Sequence, residues 1–229
     1  YDNFDSVLNR GMQPLNVKLF EQTVNSTGAL ILDTRTPSTF AKGFVPRSIN
    51  IGIDGDFAPW AGAMIVDVKQ PIVLVSDADR LEEVITRLSR VGFDNVLGYL
   101  EGGFNSWASS GKEIDSVRSI SATEFAKELD EKKDSLVIDV RKESEYSAEH
   151  IQDAYSKPLA YINDWISELP KDEHFYIHCA GGYRSMIASS ILLSRGYRNF
   201  TDVAGGFGAI SQTNVPKTDF VCQSKVLKR

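Results

Sequence analysis

"SLVIDVRKESEYSAEHIQDAYSK", residues 135–157, has a counterpart of the same pattern earlier in the chain. Residues 29–51 read "ALILDTRTPSTFAKGFVPRSINI". Each stretch begins with a short apolar run typical of a buried strand, continues with Asp-x-Arg, and ends in a polar helical pattern with one aromatic residue, Phe40 or Tyr146. A strand that leads into a short helix is therefore predicted twice.

The repetition covers most of the chain. Residues 71–104 match residues 174–207, and the period of about 105 residues is the size of a domain rather than of a solenoid repeat. The two copies meet in "SSGKEIDSVRS", residues 109–119, where Gly, Ser and charged residues interrupt the apolar periodicity. We predict four segments: a linker at 1–12, a first domain at 13–111, a second domain at 115–222 and a polar tail at 223–229.

Short β-rich runs alternate with helical patterns in both domains. In the second domain, Ser121 and Glu124 form a capping box ahead of one helix. Four apolar residues share the face of another helix: Ile162, Trp165, Ile166 and Leu169. The alternation predicts an α/β fold of two tandem domains, each a mainly parallel sheet with helices on both faces. The reactive site of such a sheet lies at the carboxyl ends of its strands.

The composition excludes several function classes. A net charge of −6 argues against nucleic acid or an anionic membrane as the main partner. No apolar run approaches the roughly 18 to 20 residues of a membrane span, and no basic-then-apolar leader is visible. Two cysteines, Cys179 and Cys222, favour a reducing compartment, so we predict a cytoplasmic protein. The three histidines lack metal-ligand spacing, and we expect neither a metal nor a cofactor.

Cys179 is the strongest candidate for chemistry. It stands in "HCAGGYRS", between a predicted strand and a helix predicted from about Arg184 to Arg195. The unpaired N–H groups of the first helical turn and the charge of Arg184 both favour a thiolate. Gly181 and Gly182 let the backbone curl so that several N–H groups converge on one anion. The alternative is a buried structural cysteine, the usual fate of an unpaired one.

Three segments of the second domain resemble the rhodanese (sulfurtransferase) family: "VIDVRKESEYSAEHI", "HCAGGYRS" and "VAGGF". The first domain resembles a rhodanese domain without its cysteine. Together with "GYLEGGFNSW", the active loop is also similar to the tandem rhodanese region that follows a metallo-β-lactamase-fold, persulfide-oxidising domain in some bacterial fusion proteins. That similarity implies an upstream domain in a longer protein, to which residues 1–12 would be the linker.

The resemblance implies a function as thiosulfate sulfurtransferase. Cys179 would take a sulfane sulfur from thiosulfate or glutathione persulfide, hold it as a persulfide, and pass it to a thiol or cyanide in a ping-pong cycle. The matching loop residues, expected to bind the substrate, are Ala180, Gly181, Gly182, Tyr183 and Ser185. Arg184 would attract the anionic donor; its alternative role is to bind a nearby carboxylate.

Other polar residues are interpreted as structural. Asp139, Arg141 and Glu145 are expected to form an ion-pair network of the scaffold. His178 should point away from the loop into the core, and Cys222 is expected to be incidental rather than a resolving thiol. In the first domain, either Ser76 or Asp77 takes the place of the cysteine, so that domain is predicted to be catalytically silent.

The sequence leaves two rival functions open. Phosphatases and arsenate reductases of related folds use a Cys-x5-Arg loop to hold a tetrahedral oxyanion. The loop here is Cys-x4-Arg, one residue shorter, which suits one sulfur atom better than phosphate oxygens. The other rival is a non-catalytic interaction or regulatory module, for which the domain without a cysteine is an argument.

Overall fold

The computed structural model describes residues 3–132 and 134–222, so the predicted tail at 223–229 lies outside the described residues. The chain divides into two compact units between Ser116 and Val117. Over the described ranges, no helix is long and apolar enough to cross a membrane.

The first unit is built on a five-stranded sheet. Its strands are β1 (Pro14–Leu15), β2 (Leu30–Asp33), β3 (Ile49–Asn50), β4 (Ile72–Val75) and β5 (Val96–Leu100). Their order across the sheet is β1-β5-β4-β2-β3, and every pairing is parallel.

The second unit repeats this sheet. Its strands are β6 (Ser119–Ile120), β7 (Leu136–Asp139), β8 (Tyr155–Ser156), β9 (Phe175–His178) and β10 (Phe200–Val203). The order β6-β10-β9-β7-β8 is the order of the first unit shifted by five strands, and again all pairings are parallel. The predicted α/β fold with two parallel sheets is confirmed.

Helices connect the strands, because parallel neighbours need a crossover. The first unit contains α1 (Phe4–Gly11), α2 (Val17–Thr27), α3 (Pro37–Lys42), α4 (Phe57–Met64), α5 (Leu81–Ser89) and α6 (Gly103–Ala108). The second contains α7 (Ala122–Glu131), α8 (Glu143–Ala148), α9 (Ile162–Trp165), α10 (Tyr183–Ser194) and α11 (Gly206–Ile210). Single 3₁₀ turns lie at Ala78–Arg80, Leu159–Tyr161 and Ile166–Glu168.

The two faces of the second sheet carry different neighbours. Side chains alternate along a strand, so Tyr176 and Ile177 of β9 point to opposite faces. Tyr176 packs edge-on against Phe125 of α7, with 5.0 Å between the ring centroids. On β10 the same alternation separates Val203, which belongs to the core cluster of Phe125 and Tyr176, from Asp202.

Local sequence signals account for most helix boundaries. Ser121 and Glu124 form the predicted capping box at the start of α7. The helix predicted from about Arg184 to Arg195 is α10, Tyr183–Ser194, one residue earlier at each end. The four apolar residues of the predicted face are all buried: Ile162, Trp165, Ile166 and Leu169. They do not share one helix, because a four-residue α-helix, Ile162–Trp165, passes into a 3₁₀ turn, Ile166–Glu168, and Leu169 follows that turn in an extended conformation.

The predicted linker contains a helix that packs on the first unit. Asn3 caps α1 by accepting from the N–H of Asp5, and Val7 is buried at 1% exposure. Gly11 lies so close to Ile85 of α5 that an added Cβ would stand 2.8 Å from its Cδ1. Within the segment predicted as a linker, residues 4–11 therefore form a helix that packs on the first unit.

Candidate active site

Cys179 lies at the junction where β9 ends and α10 begins. His178 is the last residue of the strand, and Tyr183 is the first of the helix. Gly182 precedes the helix with φ at +104°, a conformation that side chains disfavour. The loop thus turns sharply at a glycine and brings the amide groups of the helix start back toward the cysteine.

The sulfur atom is enclosed by its own loop. The N–H of Gly182 donates to Cys179 Sγ at 3.1 Å. The sulfur in turn donates to Ser185 Oγ, in the first turn of α10, at 3.6 Å. Cys179 is only 1% exposed, whereas Gly181 at the tip of the loop is exposed. Any molecule that reacts with the sulfur must therefore reach it through the loop or displace part of the loop.

The start of α11 supports the loop from below. Phe207 N–H donates to Cys179 O at 2.7 Å, and Gly208 N–H donates to Ala180 O at 2.9 Å. At Gly206 an added Cβ would lie 2.4 Å from Cys179 O. The late Gly-Gly pair of the sequence therefore has a geometric role: only a residue without a side chain fits beneath the cysteine loop.

Arg184 is bound to a carboxylate, the alternative role considered for it. Its Nη1 and Nη2 donate to Glu145 at 2.7 and 2.9 Å, a bidentate pair that joins α10 to α8. Hydrogen bonds from Arg184 lower the pKa of Glu145, and Glu145 raises the pKa of Arg184. The positive charge near the sulfur is thus largely offset at the rim of the site.

Asp139 and Arg141 form a separate buried pair. Arg141 donates from Nε and Nη2 to both carboxylate oxygens, the shortest bond being 2.7 Å, and its guanidinium lies 4.0 Å above the Phe207 ring. The expected network of Asp139, Arg141 and Glu145 is therefore divided, because Glu145 binds Arg184. A buried pair with satisfied hydrogen bonds fixes the end of β7 beside the cysteine loop.

His178 is buried, as expected from strand alternation. Its Nδ1 lies 3.0 Å from Cys179 O, and its Nε2 lies 3.8 Å from Asp139 Oδ2. Burial lowers the pKa of His178, which favours the neutral ring. A neutral histidine bonded to the backbone orients the strand end rather than exchanging protons with a substrate.

Asp202 is a site neighbour that the sequence analysis did not single out. It lies on β10 at 1% exposure, and Ser119 Oγ donates to its Oδ2 at 2.7 Å. Burial raises the pKa of Asp202 to about 6, although hydrogen bonds from Ser185 and Ser119 act the other way. An acidic residue inside the apolar run "NFTDV" was the available signal, since an unpaired buried carboxyl is costly.

In the first unit Ser76 occupies the place of the cysteine. Asp33 pairs with Val75 in the sheet as Asp139 pairs with His178, so the residues that follow correspond. The register thus decides for Ser76 over Asp77. Thr34 Oγ1 donates to Ser76 Oγ at 2.7 Å, and this buried bond ties the serine to the scaffold.

The remaining candidates contribute little to the site. Cys222 is exposed, and neither cysteine is in a disulfide. Among the residues that the structure describes, no three His, Cys, Asp or Glu side chains are grouped so that they could hold a metal ion.

Both halves of the chain are similar in sequence to proteins of one known domain family. The model of the Rhodanese-like domain family matches residues 16–110 and 121–213. A sulfurtransferase of Allochromatium vinosum is 31% identical over 100 residues, which cover 44% of this chain and 94% of that protein. The thiosulfate sulfurtransferase GlpE of Coxiella burnetii is 28% identical over 80 residues, or 35% of this chain and 75% of that protein.

Solved structures match as well. A rhodanese-like domain protein of Staphylococcus aureus is 31% identical, with a TM-score of 0.40, over 43% of this chain and 96% of that one. A thiosulfate sulfurtransferase of Pseudomonas aeruginosa is 20% identical, with a TM-score of 0.41, over 92% of this chain and 44% of that one. The family match covers most of both compact units, and the chain belongs to the rhodanese-like domain family, with two such domains in tandem.

Proposed function

We propose that this chain is a sulfurtransferase in which Cys179 carries a sulfane sulfur as a persulfide. The observation that supports this most directly is the Gly182 N–H that donates to Sγ at 3.1 Å, at the N-terminus of a 12-residue helix. Backbone donors and the helix dipole favour negative charge at this position. Relatives named sulfurtransferase support the same reaction class.

The proposed cycle has two displacements at sulfur. The Cys179 thiolate attacks the outer sulfur of thiosulfate or of glutathione persulfide, and the S–S bond of the donor breaks as sulfite or glutathione thiolate leaves with the electron pair. An acceptor thiolate or cyanide then attacks the outer sulfur of the Cys179 persulfide and restores the thiolate. No external oxidant or reductant is needed in either step.

The residues of the cysteine loop are proposed to have different roles. The amide of Gly182 stabilises the sulfur anion, and the exposed Gly181 and the neighbouring Ala180 and Tyr183 form the entrance for the donor. Arg184 contributes positive charge that Glu145 moderates, so the entrance suits a donor without requiring a strongly anionic one. A thiol nucleophile suits a reducing compartment such as the cytoplasm.

The pairing of Arg184 also argues against a phosphatase. In an oxyanion-binding loop, the arginine must offer its guanidinium to the phosphate. Here both of its terminal nitrogens are engaged by the Glu145 carboxylate. Phosphate binding would have to break a bidentate ion pair first, so sulfur transfer is the better fit.

The first domain is proposed to be catalytically silent, because a serine hydroxyl cannot form a persulfide. We propose that the first domain acts instead as an interaction or regulatory module, the non-catalytic function considered above for the whole chain. The resemblance to fusion proteins supports a further proposal, that a persulfide-oxidising metallo-β-lactamase-fold domain lies upstream of this chain in a longer protein.

The test is direct detection of the persulfide. The full chain is incubated with thiosulfate or glutathione persulfide, and its intact mass is measured before and after addition of cyanide. We expect one added sulfur atom on Cys179, removed by cyanide, and loss of sulfur transfer by at least about 1,000-fold in Cys179→Ser. Cys222→Ser is the matched control and should keep both properties. Sulfur transfer by Cys179→Ser at the wild-type rate would refute the proposal.

A further inference from the structure

The hydroxyl of Ser185 lies between the sulfur of Cys179 and a backbone carbonyl. Cys179 Sγ donates to Ser185 Oγ at 3.6 Å, and the hydroxyl donates in turn to Gly182 O at a long 3.4 Å. Ser185 is in the first turn of α10 and is completely buried, at 0% exposure. A side chain so buried acts on the sulfur rather than on a molecule in solvent.

The same hydroxyl suits both charge states of the sulfur. A serine hydroxyl both donates and accepts hydrogen bonds, and it turns about its C–O bond. When Cys179 is an anion its S–H is gone, and the hydroxyl can donate to Sγ across the same 3.6 Å without movement of heavy atoms. Gly182 O then keeps a partner, because Met186 N–H donates to it at 3.3 Å. Neither arrangement leaves the hydroxyl or the carbonyl unpaired.

We propose that the Ser185 hydroxyl donates to Cys179 Sγ whenever this sulfur carries negative charge, and thereby speeds the release of sulfur from the Cys179 persulfide. The proposal rests on Cys179 being the sulfur-carrying nucleophile of the proposed function. In the release step, the acceptor thiolate or cyanide forms a bond to the outer sulfur, the S–S bond breaks, and its electron pair returns to Cys179 Sγ. The Ser185 proton stays on its oxygen. The anion that develops on Sγ thus has two donors, the N–H of Gly182 and the O–H of Ser185.

The silent unit has no hydroxyl at the equivalent position. The helices α5 and α10 can be aligned on the turns that follow them. In each turn an N–H donates back to a carbonyl near the end of the helix: Phe93 to Leu88 and Tyr197 to Leu192. This alignment places Leu81, the first residue of α5, where α10 has Ser185. The unit without the cysteine therefore also has an apolar side chain in place of the proposed donor.

The titratable groups next to the cysteine loop have partners of their own. They come from β7, α8, β9, β10 and α10, and they form two ion pairs and two hydrogen bonds to uncharged groups: Asp139 with Arg141, Glu145 with Arg184, His178 with Cys179 O, and Asp202 with Ser119 Oγ. Tyr183 is half-buried at the start of α10, and α11 carries no titratable side chain. Removal of the Ser185 hydroxyl leaves these pairs in place, so a change in the titration of Cys179 can be assigned to that hydroxyl.

The two half-reactions give the proposal a signature. Loading of sulfur from glutathione persulfide and its discharge to cyanide are timed separately by intact mass, in the Cys222→Ser chain at about pH 9, where an ordinary thiol is largely ionised. Ser185→Ala should slow discharge by about 3- to 10-fold, because a thiolate with one donor fewer is a poorer leaving group. Loading should not become slower, because the same thiolate is a stronger nucleophile.

The titration of the thiol is a second readout. The rate of Cys179 alkylation by iodoacetamide is measured in the same chain from about pH 5 to about pH 10. Ser185→Ala should move the midpoint upward by about 0.5–1 pH unit, because the thiolate loses a hydrogen bond. Ser185→Thr keeps a hydroxyl and should restore both properties. Ser189→Ala is the matched control, since Ser189 is also buried in α10 and donates to Ser185 O; it should behave like the parent chain.

The outcomes separate this proposal from the proposed function. Discharge at the parent rate with an unchanged midpoint in Ser185→Ala would overturn the role of Ser185 and leave sulfur transfer by Cys179 intact. Equal slowing of loading and discharge would overturn it as well, because that result indicates a distorted loop. If the parent chain takes up no sulfur, the proposed function is refuted instead, and the alkylation midpoints still decide whether Ser185 stabilises the Cys179 thiolate.

Discussion

At the scale of single residues, two carboxyl groups near the site respond to their surroundings in opposite ways. Asp202 is almost completely buried, and desolvation raises its pKa to about 6. Glu145 is a third exposed, and hydrogen bonds from Arg184 lower its pKa. The ionised form is therefore costly at Asp202 and favourable at Glu145. Their contributions to stability must change with pH in opposite directions.

The substitution Asp202→Asn tests how the stability contribution of Asp202 changes with pH. Because the folded-state pKa of Asp202 lies above the unfolded value of about 3.9, the stability from its neutral form is fully present below about pH 4 and is lost as pH rises through about 6. Asn stays neutral throughout. We expect the variant to gain up to about 3 kcal/mol, relative to wild type, between about pH 4 and pH 7.5 in urea unfolding. A stability difference that does not change with pH would contradict the burial of a charge at Asp202.

Glu145→Gln should show the opposite sign. Its folded-state pKa is depressed, so the pair with Arg184 stabilises the protein above the unfolded value of about 4.3, and that stability is lost as pH falls through the folded value. We expect the variant to be less stable than wild type near neutral pH and equal to it in acid, in the same urea experiment. A larger deficit in acid than at neutral pH would rule out the ion pair as the cause.

At the scale of elements, the start of α11 decides whether the cysteine loop can close. Gly206 has φ at +55°, and an added Cβ would lie 2.4 Å from Cys179 O and 2.7 Å from Ala180 C. Gly103 holds the equivalent place in the first unit with φ at +63°, but there an added Cβ would have only Ser76 O nearby, at 3.9 Å. Both glycines have a positive φ that a side chain disfavours, but only Gly206 lies so close to other backbone atoms that an added Cβ would collide with them.

We therefore expect unequal costs of the same substitution. Gly103→Ala should cost about 1 kcal/mol, the penalty of a left-handed backbone, whereas Gly206→Ala should cost at least about 2 kcal/mol more because backbone atoms must move apart. Urea unfolding gives the stability, and the mass of the persulfide form gives the effect on the loop. Equal costs with an intact persulfide would show that the loop moves aside freely.

Elements were easier to predict from sequence than the contacts between them. Strands and helices follow from local periodicity, so the two copies of strand, Asp-x-Arg and helix led directly to the parallel sheets. The tightening of the helix at Ile166 and the binding of Arg184 by Glu145 depend on which surfaces meet after folding. Asp202 was missed for the same reason: in sequence it is one polar residue in a strand, and only the fold brings Ser119 beside it.

At the scale of the whole molecule, the two units have one topology and different loops at the same edge of the sheet. In the second unit the loop between His178 and Ser185 has six residues, Cys179–Arg184. In the first unit the strand register makes Val75 equivalent to His178, and Phe93 N–H donates to Leu88 O as Tyr197 N–H donates to Leu192 O, which makes Leu81 equivalent to Ser185. The loop between Val75 and Leu81 has five residues, Ser76–Arg80. The shorter loop turns through a 3₁₀ helix and carries two aspartates. Sequence counting left a one-residue ambiguity here, which only the strand register resolved.

The lost nucleophile should therefore not be restored by one substitution. We expect Ser76→Cys, made in the Cys179→Ser chain, to form no persulfide with thiosulfate or glutathione persulfide. The hydroxyl of Thr34, which now donates to Ser76 Oγ, would face the new thiol instead. The neighbouring Asp77 would disfavour a thiolate at position 76, because the two negative charges repel each other. Intact mass after exposure to donor is the measurement, and the Cys179 wild-type chain is the positive control. If Ser76→Cys takes up one sulfur atom that cyanide removes, the silence of the first domain is due to its missing thiol alone, and the loop has kept its ability to hold a persulfide.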